Sequence, residues 1–86
     1  MHVSLLFAAL ASLVVGGVTR TYVLHVPPHP AKSPALIVAF HGHLGTGAHM
    51  EELSGFDALS DRDGFVVAYP DGLDRGWNDG RTGGSN

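Results

Sequence analysis

The chain has 86 residues, no cysteine and a formal net charge of −3, so neither a disulfide nor a thiolate metal site can brace it. Its basic residues, Arg20, Lys32, Arg62, Arg75 and Arg81, are scattered; with no basic stripe to pair with phosphates, nucleic acid is not an expected partner. The first 18 residues are almost wholly apolar, leaving 68 of the 86 for a soluble fold, a size that buries only ~60% of its unfolded surface and is marginal without staples.

Val3 to Val18 is interrupted only by Ser4, Ser12 and two glycines. It is shorter than the ~20 residues that span a bilayer, so no stable membrane span is expected. Its length suits the apolar region of a secretory signal, which would place residues 1–17 in a cleaved leader and the product outside the cell. The n-region is poor, since His2 is its sole ionisable side chain. Two other readings stay open. Gly16-Gly17 can turn a hairpin between Ser12–Val15 and Thr19–Val26, or the start codon is misassigned.

Thr21-Tyr22-Val23-Leu24-His25-Val26 is rich in β-branched and aromatic residues and reads as a strand. Pro27, Pro28, Pro30 and Pro34 follow, and proline cannot donate to a ladder, so this stretch is loop. Ala35 to Phe40 is apolar on both faces, the pattern of a central parallel strand covered by helices on both sides. A glycine-rich loop, His41-Gly42-His43-Leu44-Gly45-Thr46-Gly47, comes next. Met50, Leu53, Phe56 and Leu59 recur at a spacing of three and predict helix, with Glu51 and Glu52 near its N-terminus. Gly55 marks a break, because Ser54 and Asp57 make a near capping box for a second helix. Gly64 sits where a left-handed C-cap belongs. Phe65 to Tyr69 is a second buried-strand run stopped by Pro70, Asp71-Gly72 is a turn signal, and Gly76 to Asn86 reads as loop. The central part is one βαβ unit with a right-handed crossover and parallel strands.

A glycine loop between a buried strand and a helix lies at the edge where open α/β sheets bind ligands. Three chemistries compete for it. Gly42-x-x-x-x-Gly47 has Walker spacing, but Ala48 and His49 stand where lysine and a hydroxyl are needed. His41, His43 and His49 could share a metal, yet no acid lies between Phe40 and Met50 to complete a set. Finally, His41-Gly42-His43-Leu44-Gly45 fits a His-Gly-x-x-Gly oxyanion loop, whose backbone N–H groups stabilise the charge that ester hydrolysis develops on the carbonyl oxygen. A bare turn is the plain alternative.

The ordered set is more specific than any of its parts. Arg20-x-Tyr22-x-Leu24-x-Val26-Pro27 is followed by Ile37-Val38-Ala39-Phe40-His41-Gly42, Met50 and Ser54-Gly55. Then come Leu59-x-Asp61-Arg62-x-Gly64-Phe65-Val66-Val67-Ala68-Tyr69-Pro70-Asp71-Gly72 and Trp77-Asn78-Asp79-Gly80-Arg81. Over about residues 18–81 the chain resembles the polyhydroxybutyrate depolymerase and feruloyl esterase family of secreted α/β-hydrolases.

The resemblance implies an α/β fold: the N-terminal part of a three-layer α/β-hydrolase sandwich (strand, then strand–helix–strand), with residues 18–86 as a fragment of that domain. It implies carboxylic ester hydrolysis through an acyl-serine, with no cofactor and no metal. The ester substrate would be a feruloylated or acetylated polysaccharide, a polyhydroxyalkanoate or a small ester. His43 is the first candidate for the oxyanion donor through its N–H, with Gly42 and Leu44 as alternatives. His41 is a support for the loop, and Trp77 a candidate for the acyl pocket. The family's serine sits in Gly-x-Ser-x-Gly. None of Thr19, Thr21, Ser33, Thr46, Ser54, Ser60, Thr82 and Ser85 stands in such an elbow, so no catalytic triad residue is assigned here and the chain by itself is expected to be inactive. A small secreted or membrane-anchored binding module, or a nonfunctional truncated product, is the alternative function.

Overall fold

A computed structural model describes residues 8–78. They form a small mixed α/β domain with a four-stranded sheet and two helices. The elements are β1 (Ala8–Val15), β2 (Val18–His25), β3 (Leu36–Val38), α1 (Gly47–Ser54), α2 (Phe56–Asp63) and β4 (Val66–Pro70), closed by a 3₁₀ turn at Leu73–Arg75. The strand order is β1-β2-β4-β3.

The Gly16-Gly17 hairpin is formed. It is longer than the sequence suggests: β1 pairs antiparallel with β2 in register from Ala8 opposite His25 to Val15 opposite Val18. Both turn glycines have positive φ, 56° and 79°, a conformation that costs other residues a Cβ clash. β2 pairs antiparallel with β4, and β3 pairs parallel with β4, as the βαβ reading requires.

The helices differ from expectation in their caps. α1 starts one turn before Glu51 and Glu52, at Gly47, and has no acid in its first turn. Thr46 caps it, its hydroxyl accepting from the His49 N–H at 3.1 Å. A local hydroxyl satisfies an orphan donor directly, which a carboxylate one turn along does not. The break at Gly55 is observed with φ 72°, but Ser54 accepts from the Phe56 N–H instead of building a capping box. Gly64 ends α2 in the left-handed conformation, φ 82°, its N–H donating to the Ser60 carbonyl.

Alternation along the strands sorts the two sheet faces. Val67 and Tyr69 are fully buried with Ala39, and Val23, Met50, Phe56 and Phe65 pack around them. The other face carries Tyr22, Leu24, Leu36, Val38 and Ala68, which line an open groove of about 400 Å³. The 35–40 run was expected to be a central strand buried on both sides. Instead β3 lies at the sheet edge, with Leu36 and Val38 59% and 45% exposed. Its composition anticipates a covering layer that the described residues do not supply.

Candidate functional site

The loop from His41 to Thr46 runs from β3 to α1, at the end of β3 where the chain leaves the parallel pair. Its backbone is a tight turn: the Gly45 N–H donates to the Gly42 carbonyl at 3.0 Å. Leu44 sits in that turn at φ 64°, a left-handed conformation costing a non-glycine residue about 1–2 kcal/mol. It persists because the Leu44 N–H donates to the Arg75 carbonyl at 2.7 Å.

His41 is buried and spent on the loop itself. Its Nδ1 lies 2.6 Å from the Gly42 carbonyl, and its Nε2 accepts from the Gly72 N–H at 3.0 Å. The Gly72 amide is a donor only, so Nε2 is the lone-pair nitrogen and Nδ1 carries the proton. Both nitrogens are occupied, which removes His41 from any metal set. His43 and His49 are exposed, and the three histidines do not gather.

The loop after β4 completes the arrangement. Asp71 accepts from the Thr21 hydroxyl through Oδ2 and from the Gly47 N–H through Oδ1, each at 2.7 Å. One carboxylate thereby joins β2, the β4 loop and the N-terminus of α1, where helix-end N–H groups attract negative charge. Trp77 donates from Nε1 to the His41 carbonyl at 2.8 Å. Its ring meets Phe40 edge-on at 5.0 Å and His41 at 4.8 Å.

The structure thus brings His41 and Trp77 together and places Gly42, His43 and Leu44 on an exposed turn beside them. Among the described residues neither the Gly42 nor the His43 N–H has an acceptor, whereas that of Leu44 does. Sequence reasoning took Asp71 and Gly72 for a plain turn and missed that they hold this loop. The loop pattern includes Gly47 without distinguishing it from the other glycines: a Cβ there would lie 2.2 Å from the Tyr69 carbonyl oxygen. The signals for these were the Asp-Gly pair and the glycine-rich loop, neither of which names its partners.

A second polar cluster lies under the helices. His25 is 5% exposed. Its Nε2 lies 2.8 Å from Asp61 Oδ1 and its Nδ1 3.5 Å from Asp57 Oδ2. The Tyr69 hydroxyl donates to Asp57 Oδ1. Burial, and then the neighbouring Asp57, push the Glu51 carboxyl up to about 7. Burial and the same Asp57 push the Tyr69 phenol up as well.

No family model matches the chain. It is 38% identical over 69 residues to NocK of Nocardia uniformis subsp. tsuyamanensis, a protein named as an esterase. That match covers 77% of this chain and 20% of NocK. It is also 38% identical over 47 residues to acetylxylan esterase A of Aspergillus ficuum, covering 55% of this chain and 16% of that protein. Over these stretches the chain is esterase-like. It spans a fifth or less of the length of the curated relatives it matches. No helix among the described residues is long and apolar enough to cross a membrane.

Proposed function

We propose that this chain is the N-terminal part of a serine carboxylic ester hydrolase of the polyhydroxybutyrate depolymerase and feruloyl esterase kind, and that it supplies the oxyanion loop. The observation that carries the reading is the exposed Gly42-His43 turn at the end of the third strand, braced by His41, Asp71 and Trp77. In α/β-hydrolases one oxyanion donor comes from the loop after the third strand and the other from the residue after the nucleophile. His43 is the first donor candidate, with Gly42 as the alternative, because the Leu44 amide is engaged by Arg75 while theirs have no acceptor among the described residues. Trp77, packed edge-on against Phe40 and tilted on His41 beside that turn, walls the acyl side of the cleft. The serine, acid and histidine lie beyond Asn86, and the substrate is a feruloylated or acetylated polysaccharide, a polyhydroxyalkanoate or a small ester. An export role for residues 1–17 would remove β1 and the Gly16-Gly17 turn from the mature chain; mass spectrometry of the N-terminus of the exported product separates that fate from retention of the hairpin.

The test is the reading frame and then the kinetics of the protein it encodes. The DNA should continue past Asn86 into a Gly-x-Ser-x-Gly motif, roughly 30–50 residues on. In that protein His43→Pro, which removes the N–H, should lower kcat about 10²–10³-fold. KM should move less, since the donor acts on the transition state. His43→Ala, which keeps the N–H, should retain most activity, and EDTA should not inhibit. An open frame without the motif, or equal activity in both variants, would sink the proposal.

A further inference from the structure

The second cluster gathers three carboxyl groups, those of Glu51, Asp57 and Asp61, around one imidazole. β2 brings His25, α1 brings Glu51 and α2 brings Asp57 to one place, with one donor atom from each within 4.8 Å of the others. The imidazole is held from one side, its Nε2 at 2.8 Å from Asp61 Oδ1, while Nδ1 stands 3.5 Å from Asp57 Oδ2 with no hydrogen bond between them. Glu51 interacts with Asp57, and its Oε2 is fully buried with no hydrogen-bond partner among the described residues. A buried carboxyl oxygen facing other carboxylates is costly unless a proton or a cation meets it, and a metal ion can take the proton's place.

The donor set and its surroundings suit a metal. Two carboxylates and an imidazole are ligands for first-row divalent ions such as zinc. Around a tetrahedral zinc the ligand atoms stand about 3.3 Å apart. The 3.5 Å between His25 Nδ1 and Asp57 Oδ2 is close to that spacing. Asp61 sits behind Nε2 at 2.8 Å, the carboxylate–histidine–metal arrangement that holds the proton on the far nitrogen and turns the near lone pair toward the ion. Tyr69 fixes Asp57 in the same manner, donating to Oδ1 and leaving Oδ2 toward His25. The exposed histidines His43 and His49 have no such backing.

We propose that His25 Nδ1, Asp57 Oδ2 and the Glu51 carboxylate form a three-ligand site for a divalent first-row transition ion, oriented by Asp61 and Tyr69. The ion cross-links β2, α1 and α2, the three elements that enclose the small core. It braces a chain that has no disulfide and takes no part in the chemistry of the 41–47 loop.

Equilibrium dialysis of the full 86-residue chain against zinc, with the bound metal measured directly, tests this. One zinc per chain should bind in the micromolar range and raise the thermal midpoint, and EDTA should reverse the shift. Glu51→Gln, which preserves shape and removes the charge, should weaken binding at least about 10-fold, and Asp61→Asn about 10- to 100-fold through the imidazole. His25→Gln should abolish it. A His43→Ala, His49→Ala double variant should bind as the unaltered chain does. Absence of saturable binding, binding unchanged in Glu51→Gln, or loss of binding in the double variant would overturn the proposal.

Discussion

Glycines that look equivalent in the 41–47 loop carry unequal burdens. Gly42 has open space where a Cβ would sit, while a Cβ on Gly47 would lie 2.2 Å from the Tyr69 carbonyl oxygen. Gly47 is therefore required by close approach of backbone to backbone, which lets its N–H reach Asp71. Gly47→Ala should destabilise the fold by about 3 kcal/mol, the upper end for overpacking, because the atom it strikes is main chain. Gly42→Ala should stay within about 0.5 kcal/mol. Urea midpoints of the two variants check the ranking, and equal midpoints would refute it. At this scale the pattern His-Gly-x-x-Gly was legible in the sequence, but which glycine the fold demands was not.

The helices show how the same residue types acquire different roles from their partners. Glu51 and Glu52 resemble an acidic helix start, yet Thr46 caps α1 and Glu51 turns inward to Asp57 and His25. Its carboxyl is raised from 4.5 to about 7, so the folded state holds that proton more tightly than the unfolded chain does. The stabilisation is complete below pH 4.5 and is lost as pH rises through about 7. In EDTA, the thermal midpoint of the unaltered chain should therefore fall relative to that of Glu51→Gln between pH 5 and pH 8. A difference between the two that stays constant across this range would show that Glu51 does not titrate there. Helix existence, the break at Gly55 and the stop at Gly64 were readable locally, since caps and breaks are short-range; the inward turn of Glu51 depends on a strand some 26 residues earlier and was not.

For the molecule as a whole, one sheet face is covered and the other is bare. The two helices shield Val67 and Tyr69, while Leu13, Leu36 and Val38, which line the groove on the other face, are exposed. A contiguous apolar face of this kind with an open strand edge favours association. The isolated chain should self-associate at micromolar concentration, by light scattering coupled to gel filtration. Leu36→Lys with Val38→Lys should shift it toward monomer with its circular dichroism intact. A monomeric unaltered chain would show that the face is protected in some other manner.

What the sequence determined by itself was the succession of elements, the parallel pairing of β3 with β4 and the glycine loop between β3 and α1. Each of these depends on residues near in sequence: proline stops, β-branched runs, left-handed glycines and a crossover whose hand is fixed by strand twist. Only the tertiary structure decided that His41 is a neutral strut between Gly42 and Gly72, that Asp71 ties β2 to α1, and that His25, Glu51 and Asp57 meet. Those contacts join residues from 24 to 50 positions apart in their polar ties to Asp71. Hydrogen bonding and charge act through space, and the sequence encodes which groups exist before the fold selects which of them touch.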